Sequence, residues 1–146
     1  MFMSKIMPTS EYTLNFDGCS KGNPGPSGAG AVLYHNDEEI WSAFAFVGYN
    51  STNNEAEYAG LIMGLEEASR LEIPSLLVNG DSQLVIRQMR GEYKVKATTL
   101  VNPYKKAKVL EKNFQTITYN HVYRNNNVRA DKLSNMGLQV VDSSLG

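Results

Sequence analysis

Four acidic residues stand where the chain passes from one kind of pattern to another. Asp17 closes the apolar run "YTLNF" and Asp81 closes "SLLVNG". Glu57 falls near the start of a helical run that begins at about residue 53, and Asp131 near the start of the last one. Two carboxylates ~5 Å apart repel by about 3 kcal/mol at an effective dielectric of 20. Four ionised acids in one place therefore call for a cation, and oxygen-only ligands favour Mg²⁺ or Mn²⁺. Such a cluster suits two-metal phosphoryl chemistry. Each acid also has a purely structural use. Glu57 and Asp131 can complement a helix N-terminus, Asp81 can cap a helix starting at Ser82, and Asp17 can serve the turn after it. The fold decides between these uses, according to whether it brings the four together.

The elements can be read from periodicity. Tyr12, Leu14 and Phe16 alternate with polar residues, so 11–17 reads as a strand. Residues 28–35 and 39–47 are two more, joined by the turn "HNDE", and both are apolar on both faces, as in a sheet covered on two sides. Residues 53–70 read as a helix, with Tyr58, Leu61, Ile62, Leu65 and Ala68 at helical spacing and a capping box of Thr52 and Glu55. Ala56, Gly60 and Gly64 give it a flat face for close packing on a sheet. A fourth strand at 75–81, helices at 82–90 and about 100–113, a fifth strand at 114–123 and a helix at 127–136 complete the order βββ-α-β-αα-β-α.

If strand one runs up, hairpin connections send strand two down and strand three up. A crossover helix then returns strand four parallel to strand one. If strand five also runs up, Asp17, Glu57, Asp81 and Asp131 share the edge formed by the C-terminal ends of the parallel strands, where open α/β sheets bind ligands.

The loop "DGCSKGNPGPSGAGAV" is not a phosphate cradle. Its glycines at 22, 25, 28 and 30 fit neither G-x-G-x-x-G nor the Walker spacing, and it leads into a strand rather than a helix.

The 146 residues, 42% hydrophobic and 20% charged, fit one soluble globular domain over 1–146, with 1–10 and 139–146 as flexible tails. No apolar run approaches the ~20 residues of a membrane span, and no targeting peptide is evident. A single cysteine excludes a disulfide framework and a Cys-based zinc site. An intracellular, cytoplasmic protein is expected. The net charge of −1 hides a cluster: residues 87–112 hold eight basic residues against Glu92 and Glu111, a local +6. A solvated helix face and a nucleic-acid contact both account for it.

Four stretches, "DGCSKGNPGPSGAGAV", "STNNEAEYAGLIMGLEEA", "GDSQLVIRQMRGEYKV" and "HVYRNNNVRADKLSN", together resemble type 1 ribonuclease H over about residues 11–138. The resemblance implies a ribonuclease H-like α/β fold, a five-stranded mixed sheet in order 3-2-1-4-5 with helices on both faces. It implies hydrolysis of the RNA strand of RNA–DNA hybrids, leaving 5′-phosphate and 3′-hydroxyl ends. Two Mg²⁺ ions, with Mn²⁺ as a substitute, would be held by Asp17, Glu57, Asp81 and Asp131, with Asp17 bridging them. Asn23, Thr52, Asn53, Asn54 and Gln83 match hybrid-contacting positions. Gly18, Cys19, Ser20, Arg124 and Asn127 extend that set, and the glycine loop would let backbone approach the substrate. The implied partner is the hybrid duplex, met by a monomer with no obligate protein partner and no membrane.

Two departures from the familiar bacterial pattern stand out. The segment "HVYRNNN" is short and lacks a loop histidine, with Arg124 in that region; His121 lies earlier, within the expected strand, as a packed residue. A Trp-bearing basic protrusion is absent, and Trp41 is expected to pack in strand three. A non-catalytic hybrid-binding module, a DNA-junction nuclease and a reverse-transcriptase nuclease domain are competing readings on the same fold.

Overall fold

The computed structural model describes residues 11–145. Its elements are β1 (Tyr12–Ser20), β2 (Gly25–His35), β3 (Glu38–Ser51), α1 (Asn53–Arg70), β4 (Ser75–Gly80), α2 (Gln83–Met89), α3 (Thr98–Glu111), β5 (Thr116–His121), a 3₁₀ turn (Arg124–Asn126) and α4 (Val128–Leu145). The sheet order is β3-β2-β1-β4-β5, with β1 antiparallel to β2, β2 antiparallel to β3, and β4 parallel to both β1 and β5. This is the expected mixed sheet with the expected strand directions.

Local chemistry accounts for the turns. Asn36 and Asp37 both take left-handed backbone (φ 49° and 68°), the conformation of a tight two-residue hairpin. Thr52 accepts from the Glu55 N–H while the Glu55 carboxylate accepts from the Thr52 N–H, the reciprocal cap that starts α1 at Asn53.

One face of the sheet carries the main core. Leu14, Phe16, Ala31, Leu33 and Val78 pack there against Tyr58, Leu61 and Leu65 of α1, Val85 and Ile86 of α2, and Leu100 of α3. On the other face α4 lays Ala130 and Leu133 over Val32. Gly28 and Gly30 lie beneath it: a Cβ on Gly30 would meet Leu133 Cβ and Ser134 N, each at 2.6 Å. These two glycines of the opening loop motif are thus explained by close packing of the last helix rather than by approach to a ligand.

Two expectations change. β3 is an edge strand with no fully buried residue, and Ile40, Phe44 and Tyr49 are exposed, so its apolar character on both faces does not reflect cover on both sides. Trp41 nonetheless packs partly buried against the main core. The last helix runs to Leu145 instead of ending near 136, so 139–145 continue an element assigned to a tail. Residues 1–10 lie outside the described residues. No helix among the described residues is long and apolar enough to cross a membrane.

Candidate active site

The register of β1 with β4 builds the first half of the site. Phe16 stands opposite Gly80, so the next residue on each strand, Asp17 and Asp81, emerge side by side. An amide ladder below them, Asn79 Nδ2 to Asn15 Oδ1 (3.0 Å) and Asn120 Nδ2 to Asn79 Oδ1 (3.2 Å), ties β1, β4 and β5 together.

Close approach of α1 to the sheet supplies the second half. A Cβ on Gly18 would collide with the backbone of Ala56 and Glu57, and one on Gly60 would lie 2.6 Å from the Asp17 carbonyl oxygen. Only with both positions bare does Glu57 descend to Asp17. One carboxylate oxygen from each of Asp17, Glu57 and Asp81 lies within 4.8 Å of the others.

The structural uses open to the acids are largely taken by other residues. Glu55, not Glu57, completes the cap of α1. Ser82 Oγ, not Asp81, accepts the Val85 N–H at the start of α2. Asp17 lies inside β1, paired with Gly30, rather than in a turn. Asp131 does sit in the first turn of α4, and its Oδ1 faces Arg124 Nη2 at 4.0 Å. It lines the same cleft as the other three but stands outside their tight cluster.

Burial makes this cluster costly. Asp17 and Glu57 are only 4% and 6% exposed, and Glu57 Oε1 has no hydrogen-bond partner. Burial first, then the charge of Asp81, pushes the Asp17 carboxyl up to about 7, although contact with Glu57 and the Gly18 N–H work the other way. Burial, followed by the Asp17 charge, drives Glu57 well above the ordinary carboxylate range. Without a cation both carboxyls are thus pushed towards their protonated forms. A divalent ion would fit the orphaned Glu57 oxygen and the three converging carboxylates, because hard oxygen donors are its preferred ligands.

The sign of the pH dependence follows. From its ordinary 3.8 up to about 7, folded Asp17 binds more protons than the unfolded chain does, so stability falls as pH rises through that window. Glu57 acts in the same sense. Metal-free protein should therefore melt lower at about pH 8 than Asp17→Asn does, with the gap closing towards about pH 4 and Mg²⁺ restoring wild type at the higher pH. Melting curves of both proteins with EDTA check this; a gap that does not change with pH would refute it.

The cleft, of about 520 Å³, is lined by the four acids with Gly18, Cys19, Ser20, Asn53, His121, Val122, Tyr123 and Arg124. Asn23 sits behind Asn53: its Oδ1 accepts the Asn53 N–H (2.9 Å), while Asn53 Oδ1 accepts the Ser20 N–H (2.7 Å). Both amide oxygens are occupied, so both side chains offer N–H groups outward. Thr52 is engaged in its cap, Asn54 is half-buried in α1, and Gln83 is exposed at the start of α2; none of the three lines the cleft. Asn127 cannot touch a ligand. It is 1% exposed, and its Nδ2 donates to the Phe16 carbonyl (2.9 Å), pinning the start of α4 to the residue before Asp17.

His121 lies within β5 and is half-buried, as expected; because it is the last residue of that strand, opposite Gly80, it also lines the cleft. With it come Val122 and Tyr123, which the motifs did not single out; the signal that would have found them is the β4–β5 register.

Known proteins share this arrangement. The family model described as "Reverse transcriptase-like" matches residues 15–137. A bifunctional protein of Mycobacterium tuberculosis is 41% identical over 135 residues, covering 92% of this chain; the chain spans only 37% of that relative's length. A ribonuclease H of Pseudomonas fluorescens is 37% identical over 141 residues, covering 86% of this chain and 88% of its own. The crystal structure of LC11-RNase H1 in complex with RNA/DNA hybrid superposes with a TM-score of 0.84 at 32% identity, covering 93% of this chain and all of the other. With this sheet order, this acidic cleft and a ribonuclease H relative matched over 88% of its length, the chain belongs to the type 1 ribonuclease H family.

Proposed function

We propose that the protein is an endonuclease that hydrolyses the RNA strand of RNA–DNA hybrids, using divalent cations held by Asp17, Glu57, Asp81 and Asp131. The observation that carries this reading is the convergence of three carboxylates in an open cleft, two of them buried, a costly arrangement that bound cations would offset. Mg²⁺ or Mn²⁺ bound there would supply the Lewis acidity that phosphodiester hydrolysis needs at both the attacking water and the departing oxygen. In the balanced reaction, water oxygen bonds to phosphorus and the P–O3′ bond breaks. The products are a 5′-phosphate and a 3′-hydroxyl.

The chain's own groups divide the remaining work. Asn53, its amide oxygen held by Ser20, offers N–H to the acceptors on the shallow minor groove of a hybrid, and Asn23 supports it from behind. Arg124, whose side chain is 83% exposed and only loosely paired with Asp131, is free to meet a phosphate. Of the eight basic residues in 87–112, Arg90, Lys106 and Lys108 pair with acids, and Arg87 lies over the Tyr93 ring. Lys94, Lys96 and Lys105 are exposed and left for the second strand, whereas Lys112 lies beside Asn113, which bonds Ser69 at the end of α1 away from the cleft. With so few phosphate contacts, binding should be modest and only shallowly dependent on salt.

The test is a panel of 5′-labelled duplexes with Mg²⁺. The protein should cut the RNA strand of a hybrid, leave RNA–RNA, DNA–DNA and single-stranded RNA intact, and lose activity in EDTA. A hybrid bound but uncut with every divalent ion tried would replace the nuclease by a binding module.

A further inference from the structure

Tyr123 is the most exposed large hydrophobic residue among those forming the cleft, at 75%, yet its backbone is fixed. The Val122 N–H donates to the Gly80 carbonyl (2.9 Å), extending the β4–β5 ladder, and the Tyr123 carbonyl accepts the Asn126 N–H (2.8 Å). One side of the ring is braced by His121, with centroids 5.6 Å apart and planes at 77°. An aromatic ring on a fixed stretch of backbone therefore lines the same cleft as Asp17 and Asp81, in contact with His121 and largely open to water. What sets this ring apart from other exposed aromatics is its place in the lining of the acidic cleft, where it offers apolar surface to whatever the cleft holds.

The chemistry of the substrate says what that would be. In a duplex the bases stack on one another, and an A-like helix turns its sugars and 2′-hydroxyls towards a protein on the minor-groove side. We propose that Tyr123 is a substrate-contacting residue whose ring packs against a sugar of the cleaved strand beside the scissile phosphate, setting the affinity for substrate rather than the rate of the chemical step. This rests on the reading of the cleft as a hybrid nuclease site. The contact is apolar, so it differs from that of Arg124 in being insensitive to salt.

Steady-state cleavage of a labelled hybrid by wild type, Tyr123→Phe and Tyr123→Ala tests it. Equilibrium binding of the hybrid to the same variants in an Asp81→Asn background runs beside it. Tyr123→Ala should raise KM and Kd about 5- to 20-fold, with kcat within about twofold and an unchanged salt slope. Tyr123→Phe should match wild type, and all variants should melt alike because the side chain is exposed. A silent Tyr123→Ala overturns the inference. So does a Tyr123→Phe as impaired as Tyr123→Ala, which would move the contact to the hydroxyl, and so does a loss confined to kcat. If wild type cuts the hybrid and Tyr123→Ala is silent, only this inference falls. If wild type neither binds nor cuts, the nuclease reading falls and this one with it.

Discussion

Asparagine in place of Asp81 should lower kcat by about 10³-fold or more while leaving hybrid affinity within a few-fold of wild type. The substitution keeps size and shape and removes one of the three carboxylates that converge within 4.8 Å. Metal ions of this kind supply several kcal/mol of transition-state stabilisation, and about 4 kcal/mol corresponds to that loss of rate. Asp81 is a clean position to change. Ser82 caps α2, so the helix does not depend on it, and it is half-buried rather than part of the packed core. A matched Asp131→Asn should cost less, on the order of 10- to 100-fold, because Asp131 lies outside the tight cluster and faces Arg124. Single-turnover cleavage across a Mg²⁺ titration gives both numbers. Equal losses for the two variants would mean that the cluster forms with all four acids when ions bind. A mild effect of Asp81→Asn would remove the central support for metal-dependent cleavage.

The contrast between these two acids also shows what the sequence could convey. Glu57 was legible because Thr52 and Glu55 already form a cap, which leaves a second acid in the same helix without a structural task. For Asp81 the sequence left a helix cap open, and it is the structure that gives that cap to Ser82. The strand directions followed from connection lengths, since short links reverse a strand and a helical crossover preserves its direction. Register was not legible. Periodicity gives which residues share a face, but nothing local says that Phe16 pairs with Gly80 or that Gly80 pairs with His121. Those two pairings set Asp17 beside Asp81 and carry His121 and Tyr123 into the cleft.

The extent of burial was hidden too. β3 has the composition of a covered strand, and the expected order already made it an edge, but no residue along it is fully buried. Asn127 failed differently. Its type and place before a helix suit substrate contact, but the 3₁₀ turn Arg124–Asn126 and the start of α4 direct its amide inward to the Phe16 carbonyl. The motif was conveying how α4, and with it Asp131, is anchored to the strand that bears Asp17.

Alanine at Gly60 should destabilise the protein by about 2–3 kcal/mol and lower kcat in the fraction that remains folded. Two effects oppose each other. In an exposed helix interior, glycine to alanine is worth about 1 kcal/mol of added stability through backbone entropy and helix propensity. Here the new methyl would sit 2.6 Å from the Asp17 carbonyl oxygen and 2.8 Å from that of Gly30. Both are backbone atoms in the middle of a sheet, so neither can turn aside as a side chain would. Relief requires α1 to lift from β1 and β2, and overpacking of this kind typically costs 1–3 kcal/mol, occasionally more. The clash outweighs the propensity gain, and its consequence reaches the chemistry. Gly60 lies one helical turn from Glu57, and lifting α1 there draws the Glu57 carboxyl away from Asp17. Gly64 serves as the comparison. Its Cβ would press on the side chain of Leu14 instead of on backbone, so Gly64→Ala should cost less and leave kcat closer to wild type. Urea unfolding and single-turnover cleavage of the two variants separate the outcomes. A Gly60→Ala protein as stable and active as wild type would mean that α1 stands further from the sheet, and that Asp17 and Glu57 are not brought together in this way.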